Sequence, residues 1–271
     1  MSVVIAQTAV VDPRAQLGTN VRIGHFCVIG PQAKIGDGTV LEEHVSVTGD
    51  TTLGENNQVF QGCILGGLPQ DTGFNRDAPT RVTIGDNNVF REHCTVNRAT
   101  EKEDGITDVG HDNYFMVNTH IGHDCRVGDR IVIANNGMLG GHVRIGNDVT
   151  IAGGCGIVQF TSIGQLCFVG ALTRLSQDAP PFTIVEGNPG QPRALNTIGL
   201  KRHGYPREDI SVLHQAYKLL YRERVGLESA IATVTAKGPL RPAVKELFDC
   251  VAFANEARNG RGQEHRIRNA A

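Results

Sequence analysis

Residues 109–145 read VGHDNYFMVNTHIGHDCRVGDRIVIANNGMLGGHVRI, and an apolar residue occupies every sixth position of this stretch. The period continues without a break to Leu175, and the same period runs from Ile5 to Leu65. Because a helix repeats about every 3.6 residues and a strand about every 2, a six-residue period indicates a coil of short strands joined by corners. The apolar positions of the longer run are Val109, Phe115, Ile121, Val127, Ile133, Leu139, Ile145, Ile151, Ile157, Ile163, Val169 and Leu175.

Three hexads make one coil of 18 residues, and glycine often follows the apolar residue, where it suits a tight corner. The sequence therefore predicts an all-β solenoid shaped as a triangular prism, with strands stacked about 4.8 Å apart and aliphatic side chains inside. The phase of the repeat breaks twice, within residues 65–84 and within residues 96–109. We expect loops ejected from the prism near residues 66–83 and 100–108, and such loops commonly collect binding residues.

Beyond Gly190 the apolar spacing becomes helical, and Pro206 and Pro242 stand where helices commonly start. We expect a prism over residues 1–190 and a small C-terminal α-helical domain over residues 191–271. The second segment carries 14 Lys and Arg against 8 Asp and Glu, although the whole chain has a net charge of −2. This basic end suits either an acidic partner or an ordinary solvated helical surface.

The composition excludes several classes of protein. The seven cysteines are odd in number and form no CxxC pair, which favours reduced thiols and argues against a zinc site built from cysteine. No apolar run approaches the roughly 18 residues of a transmembrane helix. The first 11 residues lack the basic and apolar regions of a secretion signal, so we expect a cytoplasmic protein.

A prism filled with aliphatic side chains has no deep internal pocket, so an active site must lie on an outer face, in a loop or between subunits. His123 is the best candidate, because His120 and Asp124 are close in sequence and Gly141 follows one coil later. An imidazole base beside a glycine N–H supplies the two groups needed for acyl transfer to a hydroxyl. Asp124 would raise the basicity of the ring, although adjacent strand residues usually point in opposite directions.

Two other interpretations of these histidines stay open. His25 and His111 occupy the same place in their hexads as His123, so the corner position simply tolerates polar residues. His120, His123 and His142 would also suit a metal ion, because three histidines bind zinc in some hydrolytic sites. A Ser or Cys nucleophile lacks support, since the chain has no GxSxG motif.

Three runs of sequence, Asn118–Cys125, Leu139–Val143 and Gly199–Arg202, closely resemble the acyl-ACP:UDP-N-acetylglucosamine 3-O-acyltransferase family. That family performs the first committed step of lipid A synthesis, and the resemblance spans nearly the whole chain. It implies a left-handed parallel β-helix and a homotrimer with active sites between neighbouring prisms, without a cofactor, metal or nucleic-acid partner. The substrates would be UDP-N-acetylglucosamine and a 3-hydroxyacyl chain on acyl carrier protein, whose acidic surface the basic helices would attract.

The resemblance also assigns roles to single residues. His123 would deprotonate the sugar 3-hydroxyl, and Gly141 would donate its N–H to the oxyanion. Ala171 stands where side-chain bulk limits the acyl chain, so we expect a shorter chain than in relatives with glycine there. The residues expected to bind the sugar, diphosphate or acyl chain are Gln70, Asp71, His120, His142 and Gln159, and those for the uridine end are Asn196 and Arg202.

The chain departs from the family pattern in a few places. Thr72 and Gly73 stand where Leu-Lys is usual, and Asn97, Ile198 and His203 replace a frequent His, Glu and Arg. These differences concern the nucleotide contacts more than the reaction. The alternatives are another hexapeptide acyltransferase, for N-acyl or CoA-dependent acetyl transfer, and a non-catalytic or metal-binding β-helix.

Overall fold

The computed structural model describes residues 2–270, with side chains to Ile267, and contains a left-handed parallel β-helix. Within these residues the strands form three sheets of eleven, nine and eight strands. Successive strands of a sheet come from successive coils, so Ile5 pairs with Ile23 and Ile23 with Leu41. The prism that the six-residue period predicted is thus confirmed, as is the left-handed parallel β-helix that the resemblance implied.

The three faces of the prism are named here by their strands. Face A contains Val4–Ile5, Arg22–Ile23, Val40–Leu41, Gln58–Val59, Val89–Phe90, Tyr114–Phe115, Val132–Ile133, Thr150–Ile151, Phe168–Val169, Thr183–Gly187 and Gly190–Leu195. Face B contains Val10–Val11, Val28–Ile29, Ser46–Val47, Ile64–Gly67, Thr95–Asn97, His120–Ile121, Met138–Leu139, Gly156–Ile157 and Arg174–Leu175. Face C contains Gln16–Leu17, Lys34–Ile35, Asp50–Leu53, Arg81–Ile84, Ile106–Val109, Arg126–Val127, Arg144–Ile145 and Ser162–Ile163.

The inward residue of each hexad forms the core of the prism. From Ile23 to Leu175 these side chains are buried, whereas Ile5 in the first coil is 45% exposed. Burial of one such aliphatic side chain contributes about 1.5–3 kcal/mol. Stacking of coils on both sides is therefore what stabilises each short strand.

Corners of the prism use a left-handed backbone conformation at the third residue after the inward one. Asp112, Asp124, Asn136 and Asp148 all occupy this place, with φ between 58° and 61°. Asp and Asn adopt this conformation more readily than most residues with a side chain. These four corners lie in alternate hexads, and their backbone angle explains why short polar residues recur there.

Two loops interrupt the regular coils. Leu53 pairs with Ile84, 31 residues later, and Ile84 pairs with Val109, 25 residues later, where a plain coil takes 18. The extra residues leave the prism as a first loop over residues 68–80 and a second loop over residues 98–105. Both loops connect face B to face C, so they extend from the same corner.

The strand Gly190–Leu195 pairs antiparallel with Thr183–Gly187 and completes face A. Residues 191–195, which sequence reasoning put with the helices, therefore belong to a sheet, and the first helix begins at Thr197. The helices are α1 (Thr197–Arg202), α2 (Arg207–Tyr217), a π-helical turn (Lys218–Arg222), α3 (Leu227–Thr235), α4 (Pro242–Asn255) and α5 (Gly262–Ala270).

The helices pack around a second apolar core that includes Phe182 from the last coil together with Leu200, Leu213 and Leu247. Pro242 is the first residue of α4, where its missing N–H removes no helical hydrogen bond. Over residues 2–270, no helix has the length and apolar character that crossing a bilayer requires.

Candidate active site

A groove of about 480 Å³ runs over face B to the corner between faces B and C, beside the first loop. It brings together five of the residues singled out from the sequence, namely Gln70, His120, His123, Gly141 and Gln159. The floor also includes Met138, Gly156 and Arg174, which sequence reasoning missed. These three follow His120 in consecutive coils of face B, so counting in steps of 18 from His120 finds them.

His123 and Asp124 form a hydrogen-bonded pair at this corner. The Nδ1 atom of His123 lies 2.7 Å from Oδ2 of Asp124, whose side chain is 1% exposed. Asp124 has a left-handed φ of 61° and lies at a corner outside the strands, so the usual strand alternation does not separate the two side chains. Because Nδ1–H donates to the carboxylate, the neutral imidazole keeps its lone pair on Nε2.

The second loop supports the carboxylate of Asp124 from the other side. Oδ2 accepts hydrogen bonds from the Thr100 backbone N–H at 3.1 Å and from the Thr100 hydroxyl at 2.8 Å. The Asp124 backbone N–H donates to the hydroxyl of Thr107 at 2.8 Å. A buried carboxylate with this many donors is held in one orientation and remains available to stabilise a charged imidazole.

Gly141 packs directly against the His123 ring. A Cβ atom at residue 141 would lie 2.4 Å from Cε1 and 2.6 Å from Nε2, so a larger residue would displace the ring. Across the part of the chain that the structure describes, the Gly141 N–H donates to no protein acceptor. An unbonded N–H beside a basic nitrogen is the arrangement that acyl transfer uses to stabilise an oxyanion.

His142 lies behind the groove and is only 3% exposed. Its Nδ1 atom is 2.5 Å from Oε1 of Glu103. Its ring stacks on Phe160 with the centroids 4.4 Å apart and lies perpendicular to the His123 ring with the centroids 5.1 Å apart. Glu103, a residue of the second loop, also forms an ion pair with Arg144. His142 therefore supports the corner from inside, and Glu103 is a contact that the sequence did not reveal.

His120 projects from face B into the groove. Its Nδ1 atom lies 2.8 Å from the hydroxyl of Thr95. Burial, and to a lesser degree the nearby His123, lowers the pKa of His120 below its usual value. His120 is therefore suited to hydrogen bonding as a neutral ring.

Asp71 extends from the first loop toward this corner. Lys102 of the second loop forms an ion pair with its Oδ2 atom, and the Gly73 N–H donates to Oδ1 at 2.8 Å. The Lys102 ammonium, with the Gly73 N–H, lowers the pKa of Asp71, and the nearby His123 adds to this effect. Lys102 thus contacts Asp71 in a chain that lacks a lysine at residue 73.

Three candidates lie away from the groove within one chain. Asn196 caps α1 by accepting from the Gly199 N–H at 2.9 Å, and it donates to the Leu166 carbonyl at the corner between faces C and A. Arg202 is exposed at the end of that helix. Ala171 is exposed at the corner between faces A and B. One copy of the chain does not bring these residues to His123.

The structure groups a different set of possible metal ligands from the three histidines that the sequence suggested. The possible ligand atoms of His123, Asp124 and His142 lie within 4.8 Å of one another, and this group contains Asp124 in place of His120. Both Nδ1 atoms already contact carboxylates, those of Asp124 and Glu103. Hydrogen bonding within the protein accounts for the proximity of these side chains.

A prism of six-residue repeats, with an imidazole beside an unbonded glycine N–H, defines the chain as a hexapeptide-repeat transferase. A protein-family model described as bacterial transferase hexapeptide matches residues 14–49. A second family model, described as Udp N-acetylglucosamine O-acyltransferase, domain 2, matches residues 178–262. The chain belongs to the UDP-N-acetylglucosamine O-acyltransferase (LpxA) family, as solved structures from three bacteria establish.

These relatives share the whole architecture. LpxA from Acinetobacter baumannii is 38% identical, with 91% of this chain and 95% of that chain covered at a TM-score of 0.87. The enzyme from Moraxella catarrhalis is 35% identical, with coverage of 90% and 95% and a TM-score of 0.86. The UDP-N-acetylglucosamine acyltransferase from Campylobacter jejuni is 33% identical, with coverage of 94% and 98% and a TM-score of 0.86.

Proposed function

We propose that this chain transfers a 3-hydroxyacyl group from acyl carrier protein to the 3-hydroxyl of UDP-N-acetylglucosamine, the first step of lipid A biosynthesis. The observation that carries the proposal is the contact between the His123 ring and the Gly141 backbone, whose N–H is unbonded among the described residues. The names of the relatives supply the acceptor, because they are UDP-N-acetylglucosamine acyltransferases.

The reaction follows from this geometry. His123 Nε2 takes the proton of the sugar 3-hydroxyl, whose oxygen then attacks the thioester carbon. The Gly141 N–H donates to the oxyanion of the tetrahedral intermediate, and Asp124 stabilises the imidazolium that forms. When the carbon–sulfur bond breaks, the imidazolium returns its proton to the leaving thiolate. The ester and a free carrier thiol are the products.

The substrate contacts are part of the same proposal. Gln70, His120 and Gln159 line the groove, and Asp71 follows Gln70 in the first loop; these four would bind the acceptor and the acyl chain, whereas His142 would act by supporting His123. Met138 is 52% exposed on the groove floor, and a Cβ at Gly156 would meet nothing within 4 Å, so an open apolar path lies between His120 and Arg174 on face B. Such a path suits an acyl chain.

The uridine end requires a neighbouring subunit. Asn196 and Arg202 lie at a different corner from His123, so they would complete the site of an adjacent chain in a homotrimer. Ala171 would then limit the acyl chain from its own corner. The basic helical segment would attract acyl carrier protein, and the seven free cysteines suit the reducing cytoplasm.

The experiment compares His123→Ala with His111→Ala, because both histidines follow an aliphatic residue and a glycine and precede an aspartate. With UDP-N-acetylglucosamine and a 3-hydroxyacyl carrier thioester, we expect His123→Ala to lower kcat by about 10²–10⁴-fold, the usual contribution of a general base. His111→Ala should retain wild-type activity. Equal activity of wild type and His123→Ala would contradict the proposed base, and a preference for acetyl-CoA or an amine acceptor would favour the other transferases.

A further inference from the structure

The two ejected loops contact each other next to the catalytic corner. Lys102 of the second loop forms an ion pair with Asp71 of the first, and the carboxylate of Glu101 accepts from the Asn75 N–H at 3.3 Å. The second loop is in turn fixed to the prism, because Thr100 donates to Asp124 and Glu103 contacts His142. The position of Asp71 thus depends on a loop that also supports the catalytic pair.

Lys102 occupies the space beside Gly73. A Cβ atom at residue 73 would lie 3.4 Å from Oδ1 of Asp71 and 3.8 Å from Nζ of Lys102. A cationic side chain at residue 73 and the side chain of Lys102 would therefore compete for one place. Because residue 73 has no side chain, the cation that contacts Asp71 comes from the second loop.

We propose that Lys102 is a positioning residue for the acceptor sugar, acting through Asp71. Lys102 holds Oδ2 of Asp71, and the Gly73 N–H holds Oδ1. Each oxygen keeps a further lone pair that can accept a hydrogen bond from a sugar hydroxyl. Gln70, next to Asp71 in sequence, lines the groove that contains His123, so this carboxylate stands at the edge of the acceptor site. The inference rests on the proposed function.

The ion pair between Lys102 and Asp71 should contribute to binding of the acceptor and very little to the free energy of unfolding. The Lys102 side chain is 44% exposed, and an exposed ion pair contributes little to folding. Without the ammonium, the first loop loses the side-chain contact that orients Asp71, and acceptor binding must then supply the ordering. The chemistry at His123 does not use this carboxylate, so kcat should be affected less than the acceptor KM.

The experiment uses Lys102→Met, Lys102→Arg, Asp71→Asn, the Lys102→Met and Asp71→Asn double variant, and Lys102→Met combined with Gly73→Lys. Lys34→Met, an exposed lysine on face C, is the matched control. Calorimetry with UDP-N-acetylglucosamine measures acceptor binding, and steady-state assays separate KM from kcat. Thermal melting shows whether each variant is folded.

We expect Lys102→Met to weaken acceptor binding and to raise the acceptor KM about tenfold, with kcat within about twofold of wild type. Lys102→Arg should keep most of the acceptor binding, and Gly73→Lys should restore most of it in the Lys102→Met background. Lys34→Met should bind the acceptor as wild type does. In the Asp71→Asn background, Lys102→Met should have little further effect, because the two residues act as a pair.

Three results would overturn the inference. The first is that folded Lys102→Met binds the acceptor as tightly as wild type. The second is that Lys102→Met weakens acceptor binding as much in the Asp71→Asn background as in wild type. The third is that acceptor binding is restored neither by arginine at residue 102 nor by Gly73→Lys. If wild-type protein itself neither binds nor acylates UDP-N-acetylglucosamine, the proposed function fails, and the inference fails with it. If wild-type protein is active but substitutions of Lys102 do not change acceptor binding, the inference fails and the proposed function stands.

Discussion

At the scale of single residues, the proposed catalysis at this corner depends on surroundings of His123 and Asp124 that the plain repeat does not supply. With a φ of 61°, Asp124 places its carboxylate 2.7 Å from Nδ1 of the preceding His123. The same His-Asp sequence occurs at residues 111–112, also with a left-handed aspartate, yet His111 is 51% exposed and lies at another corner. Burial, Thr100 and Gly141 distinguish the proposed catalytic pair, His123 and Asp124, from its repeat.

The charge of Asp124 can be tested with Asp124→Asn. An amide at this position no longer stabilises the imidazolium and allows the other ring tautomer, so we expect kcat to fall by about 10²–10⁴-fold with little change in acceptor KM. Asp112→Asn is the control with the same sequence context and should retain activity. Steady-state kinetics of both variants decide the point, and full activity of Asp124→Asn would remove the aspartate from the mechanism.

Glu103 should matter through His142. Glu103→Ala leaves the Nδ1–H of a ring that is 3% exposed without its acceptor, which costs about 1–3 kcal/mol, whereas Glu103→Gln keeps a neutral acceptor and should cost less. We expect the unfolding free energies to rank wild type, then Glu103→Gln, then Glu103→Ala. Denaturant titration measures them, and equal stabilities of all three proteins would contradict the contact.

At the scale of elements, periodicity explains what the sequence could predict. A step of 18 residues correctly placed the Gly141 backbone beside His123, because stacking in a prism is fixed by the repeat. The same step does not apply inside the two ejected loops, so nothing in the pattern indicated that Lys102 contacts Asp71 or that Glu103 contacts His142. Side-chain direction at the corner also depended on a backbone angle that alternation does not encode.

The contact between the prism and α5 provides a prediction about pH. Asp178 accepts from the Ser162 N–H at 2.7 Å and from the Gly262 N–H at 2.9 Å at the start of α5. Burial raises the pKa of Asp178 to about 6, against an ordinary value of 3.8. Because the folded protein holds this proton more tightly, its contribution to stability is complete below pH 3.8 and is lost as the pH rises through about 6.

We therefore expect the unfolding free energy of wild type, relative to Asp178→Asn, to decrease between about pH 4 and pH 6.5 by at most about 3 kcal/mol and then to stay level. The comparison with Asp178→Asn separates this group from other carboxylates, such as Asp71, whose lowered pKa acts in the opposite direction. Urea unfolding at several pH values measures the difference. A difference that does not vary with pH would contradict the prediction.

At the scale of the whole molecule, the expected site needs residues from two copies of the chain. His123 lies at the corner between faces B and C, and Asn196 bonds to Leu166 at the corner between faces C and A. A cyclic trimer would bring these unlike corners together three times, once at each interface. The sequence predicted a trimer only through the family resemblance. The repeat describes how coils stack along one prism and carries no information on contacts between prisms.

Mixed trimers test this arrangement. His123→Ala and Arg202→Ala chains, each defective alone, should regain about one third of wild-type activity when they are co-assembled, because each mixed trimer contains one interface with both native residues. Differently tagged chains allow the mixed species to be purified before assay, and sedimentation should give three times the chain mass of 29.1 kDa. Inactive mixed trimers of the correct mass would place both residues in one subunit.

The strand pairing that continues past the two loops has a consequence for evolution and for engineering. Leu65 still pairs with Val96, and Val96 with Ile121, although residues 68–80 lie between the first two. The prism therefore accepts inserted segments without shifting the coil that holds His123. Exchanging the first loop, which carries Gln70 and Asp71, can therefore alter the proposed sugar contacts, while the proposed base His123 keeps its place.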